Sequence, residues 1–243
     1  MKIKKRLDML VQEKFPHLTR NQIQSFIMQG KVTVDDKIIT KQGTPVLEAA
    51  QIVLAQESPK YVCRAGWKLE KALDHWDIDP VGLIILDAGL STGGFTDCML
   101  QRGAARIYGV DVGYGQVHEK IRRDERVVVL ERTNLRHLTS LPEKVDLVTL
   151  DLSFISIAKV MDAVVPLMKE NGRLIALIKP QFEAERHEVG KGGIIRDPVV
   201  HKRVVEEVMR GIESHGMKAI GVIESPIEGA TGNKEFLAYF VRR

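Results

Sequence analysis

The chain has 243 residues, 44% hydrophobic and 28% charged, with two cysteines and a formal net charge of +4. That composition belongs to a globular protein and excludes a disordered or collagen-like one. Apolar runs are strand-sized and broken by Asp or Gly, so no membrane-spanning helix is expected. Residues 1–10 lack the apolar centre of a secretory signal. Cys63 and Cys98 lie far apart and the seven histidines show no ligand spacing, so neither a metal site nor a disulfide framework is expected. A cytoplasmic protein with reduced thiols is the expectation. Ten of the 36 Lys/Arg and six of the 32 Asp/Glu fall in residues 1–60, which leaves 26 of each in the remainder. All the excess positive charge sits in the first quarter, as a segment that faces an anion would have it.

Leu7, Leu10, Val11 and Phe15 recur at helical spacing within residues 5–15. A second helix starts at Thr19, whose hydroxyl caps the first turn while Gln22 reaches back, and it ends at Gly30. Val32 and Val34 alternate with polar residues, Asp35-Asp36 turn the chain, and Ile38-Ile39 resume, which predicts a hairpin. These elements predict a small α+β unit over residues 1–58, with Ser58-Pro59-Lys60 opening a linker assigned to 59–66.

Residues 67–243 change pattern. Strands are predicted at Leu83–Asp87, Arg106–Asp111, Val127–Glu131, Val145–Asp151, Arg173–Ile178, Ala219–Ile223 and Phe236–Val241. Helices are predicted at Gly94–Arg102, Ile155–Lys169 and Pro198–His215. Continuous apolar strands alternating with helices imply an α/β domain with a parallel sheet covered on both faces. The last two strands have no helix between them, so one runs antiparallel. This matches the seven-stranded, Rossmann-like class I methyltransferase sheet better than a dinucleotide-binding domain.

The first of these strands runs into Asp87-Ala-Gly89-Leu-Ser91-Thr-Gly93-Gly94-Phe95, directly before a helix. A glycine-rich turn at the C-terminal end of a strand is where open α/β sheets bind ligands. Asp111, about twenty residues after the turn, ends the next strand, where an acidic residue accepts from ribose hydroxyls. The glycine spacing is not the dinucleotide fingerprint, and no phosphate loop is present, which favours a nucleoside cofactor without phosphates. Ser91 and Ser153 lack a base and an orienting acid in any recognisable motif, so a hydrolase is disfavoured. Trp67 suits either base stacking or a structural contact.

From Asp87 to Thr96 the chain resembles the FtsJ-like 2′-O-methyltransferases, and more closely their hemolysin-A (Tly-type) branch, which joins an S4 RNA-binding domain to this catalytic domain. The resemblance extends to Tyr108–Gln116, Glu131-Arg-Thr-Asn134, Leu150–Ile155, Ile178–Glu183, Val189–Gly193 and Gly232–Phe236. At the N-terminus, Arg6-Leu-Asp8, Thr19-Arg20 and Gly30–Val34 are similar to the S4 domain. The resemblance implies S-adenosylmethionine as cofactor and the ribose 2′-hydroxyl of cytidine in ribosomal RNA, or an assembled ribosomal subunit, as substrate. It implies Lys68, Asp151, Lys179 and Glu235 as catalytic residues. Asp87, Gly89, Ser91, Gly93, Gly94, Phe95, Asp111, Asn134 and Asp151 become the cofactor-binding candidates. Lys4, Lys5, Arg6, Arg20, Lys31 and Arg64 become the RNA-binding candidates. One departure stands ahead of Lys68, where Cys63-Arg64-Ala65-Gly66 replaces the family's usual Ser-Arg-Gly.

Methyl transfer to a hydroxyl requires oxygen, methyl carbon and sulfonium nearly in line, and the hydroxyl must lose its proton. A lysine accepts that proton only when burial or a neighbouring positive charge lowers its pKa. Lys179 is the expected acceptor, oriented by Asp151, with Lys68 as the neighbouring charge and Glu235 holding the network or the ribose. Two other classes stand beside this one: an RNA-binding protein with an idle methyltransferase fold, and a cytolysin, as the branch name suggests. The oligomeric state is not legible.

Overall fold

The computed structural model describes residues 3–55 and 60–243, which fall into two units, Met1–Lys60 and Tyr61–Arg243. The smaller unit contains β1 (Lys4–Arg6), α1 (Leu7–Lys14), α2 (Arg20–Met28), β2 (Val32–Val34), β3 (Lys37–Ile38), β4 (Pro45–Leu47) and β5 (Ile52–Leu54). Thr19 caps α2 as its sequence requires, since its side chain accepts from the Gln22 amide and its own amide donates to Gln22 Oε1 at 2.8 Å. The β2–β3 turn places Asp35 and Asp36 at φ 49° and 63°, the left-handed pair whose twist suits a two-residue hairpin. Beyond the expected hairpin, β1 pairs with β4, and β5 joins β2 to make the order β3-β2-β5. Strands β1, β4 and β5, at three residues each, lack the turn signal that marked the hairpin. Their inner faces and both helices enclose Leu7, Leu10, Val11, Ile23, Phe26 and Ile27.

The larger unit contains α3 (Ala65–His75), β6 (Ile84–Ala88), α4 (Gly94–Gln101), β7 (Arg106–Val110), α5 (Glu119–Arg122), β8 (Val127–Leu130) and β9 (Val145–Leu150). After these come α6 (Met161–Val164), β10 (Met168–Ile178), α7 (Pro180–Glu183), α8 (Pro198–Glu213), β11 (Met217–Glu224) and β12 (Phe236–Arg242). The sheet order is β11-β12-β10-β9-β6-β7-β8. All neighbours run parallel except β12, which is antiparallel to both β10 and β11. This is the seven-stranded class I methyltransferase sheet. Both of its faces are covered, which explains the unbroken apolar strands: Leu174, Ala176 and Ile178 of β10 face one core, Ile175 and Leu177 the other.

Three expectations need correction. The helix predicted over Ile155–Lys169 is instead a 3₁₀ turn (Ile157–Val160), the single turn of α6 and a second 3₁₀ turn (Val165–Leu167), with Met168 and Lys169 already in β10. Pro166 has no N–H to donate, and its ring opposes a helical carbonyl one turn back. Helix α3, which carries Lys68, was not predicted at all. Of the segment 59–66 read as a linker, Pro59, like Ser58 before it, lies outside the described residues, and Tyr61–Gly66 belong to the larger unit. Tyr61 is buried and donates to Glu70 Oε1 at 2.9 Å, and the Val62 amide donates to Asp97 Oδ2 at 2.8 Å. Trp67 meets the Tyr61 ring edge-on at 5.4 Å, so this unit begins at Tyr61 rather than at Trp67.

Gly94 lies where this opening segment crosses the start of α4. A Cβ there would fall 2.4 Å from Cys63 Sγ and 3.0 Å from the Gly66 amide nitrogen. Gly94→Ala is therefore expected to destabilise the protein by about 1–3 kcal/mol through overpacking. Urea unfolding should show a lower midpoint with an unchanged m-value.

Candidate active site

The site is built on the C-terminal ends of the parallel strands. β6 runs into Gly89, at φ 89°, where a Cβ would lie 2.3 Å from the Asp151 carbonyl oxygen. Only glycine allows so close a crossing of the turn after β6 over the end of β9. Asp111, just beyond β7, grips the same turn. Its Oδ2 accepts from the Ser91 amide at 2.7 Å and its Oδ1 from the Gly113 amide at 2.6 Å. Between these loops lies a cleft of about 440 Å³, lined on its polar side by Gly89, Ser91, Asp111, Asn134 and Asp151. Leu135, Leu152, Ile155 and Val160 form its apolar side. Asn134 is fixed by accepting from the Arg136 amide at 3.1 Å.

Two ion pairs stand at this edge. Asp151 and Lys179 follow β9 and β10 directly, and their side chains meet at 2.6 Å; Lys179 Nζ also donates to Ser153 Oγ at 3.0 Å. In the β10–β12 ladder Ile178 faces Phe236, so Lys179 and Glu235, one residue further along each strand, flank the end of the same ladder. Glu235 pairs with Lys68 from α3, and the two side chains are only 3% and 8% exposed. The four residues expected to act together are thus gathered on one edge as two charge-neutral pairs. Lys68 does not stand as an uncompensated charge for Lys179, because Glu235 answers it.

Four of the cofactor candidates are not in the cleft lining. Asp87 is buried behind the turn, accepting from Thr96 Oγ1 at 2.6 Å and Thr149 Oγ1 at 2.8 Å. Burial pushes its carboxyl up to about 6, against the hydrogen bonds from Thr96 and Thr149. Gly93, at φ 94°, packs against Ile121; Gly94 packs against Cys63; Phe95 belongs to the core. These residues shape the turn from behind. Conversely, residue-by-residue reading missed Phe154, which lies at the cleft 90% exposed, at φ 64° and with its ring 4.7 Å from that of Phe182. Val112, also exposed, lines the same cleft. Nothing in the local sequence marks an apolar side chain as outward-facing; only the combination of exposure and left-handed backbone does.

In the smaller unit, Arg6 and Arg20 line a second cleft, of about 510 Å³, with Asp8, Met9, Gln12 and Glu13. Arg6 donates to both oxygens of buried Asp8, at 3.0 and 2.7 Å, and holds that carboxyl below the usual range. Lys5 is engaged by Glu48 at 2.7 Å and Glu13 at 3.2 Å. Lys4 and Arg20 are exposed, Lys31 is half-buried, and Arg64 is exposed at the start of α3 in the larger unit.

The FtsJ-like methyltransferase family model matches residues 61–242, nearly the whole larger unit. The chain belongs to the FtsJ-like methyltransferase family. An S4 domain model matches residues 5–52. This methyltransferase is 42% identical over 224 residues, 91% of its length and 84% of the other's, to the 16S/23S rRNA (cytidine-2′-O)-methyltransferase TlyA of Mycobacterium tuberculosis. It is 39% identical over 239 residues to Hemolysin A of Brachyspira hyodysenteriae, covering 97% and 99% of the two chains. A solved structure named "Putative hemolysin from Streptococcus thermophilus" superposes with a TM-score of 0.75 at 36% identity, covering all of this chain and 90% of that one. Among the described residues no helix is long and apolar enough to cross a membrane.

The buried Asp87 makes the turn sensitive to pH. Its carboxyl titrates near 6 in the folded protein against 3.8 for the free group. As pH rises from about 4 through about 6 the unfolded chain releases its proton first, so stability from the neutral form is lost, by about 3 kcal/mol in all. Asp87→Asn lacks this titration. The stability of the wild type relative to that variant, from urea unfolding across pH 4–7, is expected to fall as pH rises.

Proposed function

We propose that this methyltransferase uses S-adenosylmethionine to methylate the 2′-hydroxyl of a cytidine in ribosomal RNA. The observation that carries the proposal is the Lys179–Asp151 pair beside a nucleoside-sized cleft that Asp151 itself lines. The cleft suits the cofactor in size and donor set: the Asp111 carboxylate accepts from ribose hydroxyls, and Leu135, Leu152 and Ile155 offer an apolar wall to adenine. Bound adenosylmethionine supplies an activated methyl group on a sulfonium.

With the cofactor's sulfonium as the neighbouring positive charge, Lys179 acts as the neutral amine, its own proton released to solvent: Nζ takes the proton from the attacking hydroxyl, and Asp151 and Ser153 hold that nitrogen in place. Glu235 and Lys68 neutralise one another and give the site a fixed wall with no stray charge. Phe154 presents an open ring face on which an unpaired base can stack. The S4 unit docks the RNA through its excess positive charge, with Lys4, Arg6, Arg20 and Lys31 as contacts and Arg64 contributing from the larger unit. Lys5 is a weaker contact, because two carboxylates already engage it. The choice of cytidine and of the 2′-oxygen rests on likeness to the mycobacterial relative. A ribosomal RNA substrate places the enzyme in the cytoplasm.

Mapping ribose methylation in ribosomal RNA treated with the enzyme and cofactor is expected to reveal a methylated cytidine; none would overturn the substrate. Asp111→Ala is expected to weaken adenosylhomocysteine binding by about 1–3 kcal/mol in calorimetry, the value of hydrogen bonds to a charged group. Lys179→Arg keeps the charge but cannot release a proton. Under single-turnover conditions with RNA and cofactor saturating, it is expected to lose about 10²–10⁴-fold in rate while retaining both ligands. A near-wild-type rate would remove Lys179 from the proton-acceptor role.

A further inference from the structure

Two of the motifs in this chain, Val189–Gly193 and Gly232–Phe236, contribute only Glu235 to the chemistry above. Asn233 ties them together. Its side chain is buried, with every partner within its own unit: Oδ1 accepts from the Ile195 amide at 3.0 Å, and Nδ2 donates to the Gly193 carbonyl at 2.8 Å and to Thr231 Oγ1 at 3.0 Å. Its carbonyl accepts from the Gly229 amide at 2.8 Å. Two residues later comes Glu235, which pairs with Lys68 and shares the end of the β10–β12 ladder with Lys179.

The turn held by Asn233 is closed and outward-facing. The Gly193 amide donates to the Gly190 carbonyl at 3.1 Å, and the Gly190 amide to the Ile194 carbonyl at 3.2 Å. Gly192 and Gly193 have φ of 79° and 74°, and a Cβ on either would meet nothing within 4 Å. These glycines therefore serve the left-handed turn and leave its outer side bare, which lets another chain approach the backbone. A second fastener is His201, whose Nε2 lies 3.1 Å from the Ile195 carbonyl. Lys191 stands exposed on this turn with neither an ion pair nor a hydrogen bond among the described residues. Arg203, by contrast, is held by Glu188 and Glu207.

We propose that the turn Gly190–Ile194 is an RNA-backbone contact fastened to the catalytic edge, where Lys191 meets a phosphate of the substrate strand and Asn233 is the positioning residue. The inference rests on RNA being the substrate. An open turn with one cation has no walls to retain a small anion. On a polyanion, the same cation gains from counterion release with each phosphate it neutralises. The hydrogen-bonded closure of the turn means that little ordering is left to be done on binding. Because Asn233 also braces the segment that carries Glu235, grip on the strand and placement of the Lys68–Glu235 pair are coupled.

The test uses the full-length enzyme and a ribosomal RNA transcript, and methylation by the wild type is the separate check on the substrate. Lys191→Ala is expected to raise the KM for RNA several-fold and to lower the slope of log affinity against log salt by about one. The loss should not extend to kcat or to adenosylhomocysteine affinity, and Lys191→Arg should restore KM. Asn233→Ala is expected to raise KM in the same way and also to lower kcat, by up to about 10²-fold, the cost of a misplaced group near reacting atoms. In the double variant Lys191→Ala should add little to the KM of Asn233→Ala. With a wild type that methylates the transcript, an unchanged KM and salt slope in Lys191→Ala overturns the contact. Full additivity in the double variant overturns the fastening role of Asn233.

Discussion

The ladder that aligns Ile178 with Phe236 holds together the sheet edge that carries both ion pairs. It brings the end of β10 and the start of β12 side by side, so Lys179 and Glu235 come within one residue of a common boundary, and each finds its own counter-ion there. Removing a charged group from water costs several kcal/mol, and a partner offsets that only in good geometry. Lys68 and Glu235 are almost fully enclosed, so neither is tolerable without the other. Such pairs add little net stability. What they impose is position: if β12 slipped by one residue, Glu235 would leave Lys68 as an uncompensated charge in the interior.

The turn after β6 follows the same logic with hydrogen bonds instead of charges. Gly89 lets it pass against the carbonyl of Asp151, and Asp111 draws the Ser91 amide towards β7. From below, Asp87 is braced by hydroxyls on α4 and β9. The polar side of the cleft is therefore set by three strands at once, which holds the loop rigid. Asp87 and Asp111 are both acidic residues at strand ends, yet one is buried support and the other faces the cleft. Their difference lies in burial and not in residue type.

In the smaller unit, net charge overstates what is available to an RNA. Lys5 is answered by two glutamates and Arg6 by Asp8, whereas Lys4 and Arg20 are exposed. An ion pair does not remove a cation from RNA recognition, but a phosphate must compete with the carboxylate already present. The arginine fork of Arg6, fixed by Asp8 along one wall of a cleft, is oriented rather than silenced.

From the chain alone one reads the α2 cap at Thr19, the Asp35-Asp36 turn, the alternation that yields seven strands, the glycine turn and Asp111. Each depends on neighbours within a few residues, where propensity, capping and periodicity act directly. Motif likeness added Lys68, Asp151, Lys179 and Glu235 as a set without saying how they pair. That pairing joins residues 167 and 28 positions apart, so only the strand order and register decide it. The same holds for Gly93, Gly94 and Phe95, which belong to the glycine-rich turn yet pack against α5, Cys63 and the core. Strands β1, β4 and β5 of the smaller unit and the broken helix at Pro166 escaped because short elements carry too little pattern and a single proline outweighs a helical period. Phe154 and Asn233 were silent for a further reason: whether a side chain faces solvent or joins two distant loops is set by what packs beside it, and that information exists only in three dimensions.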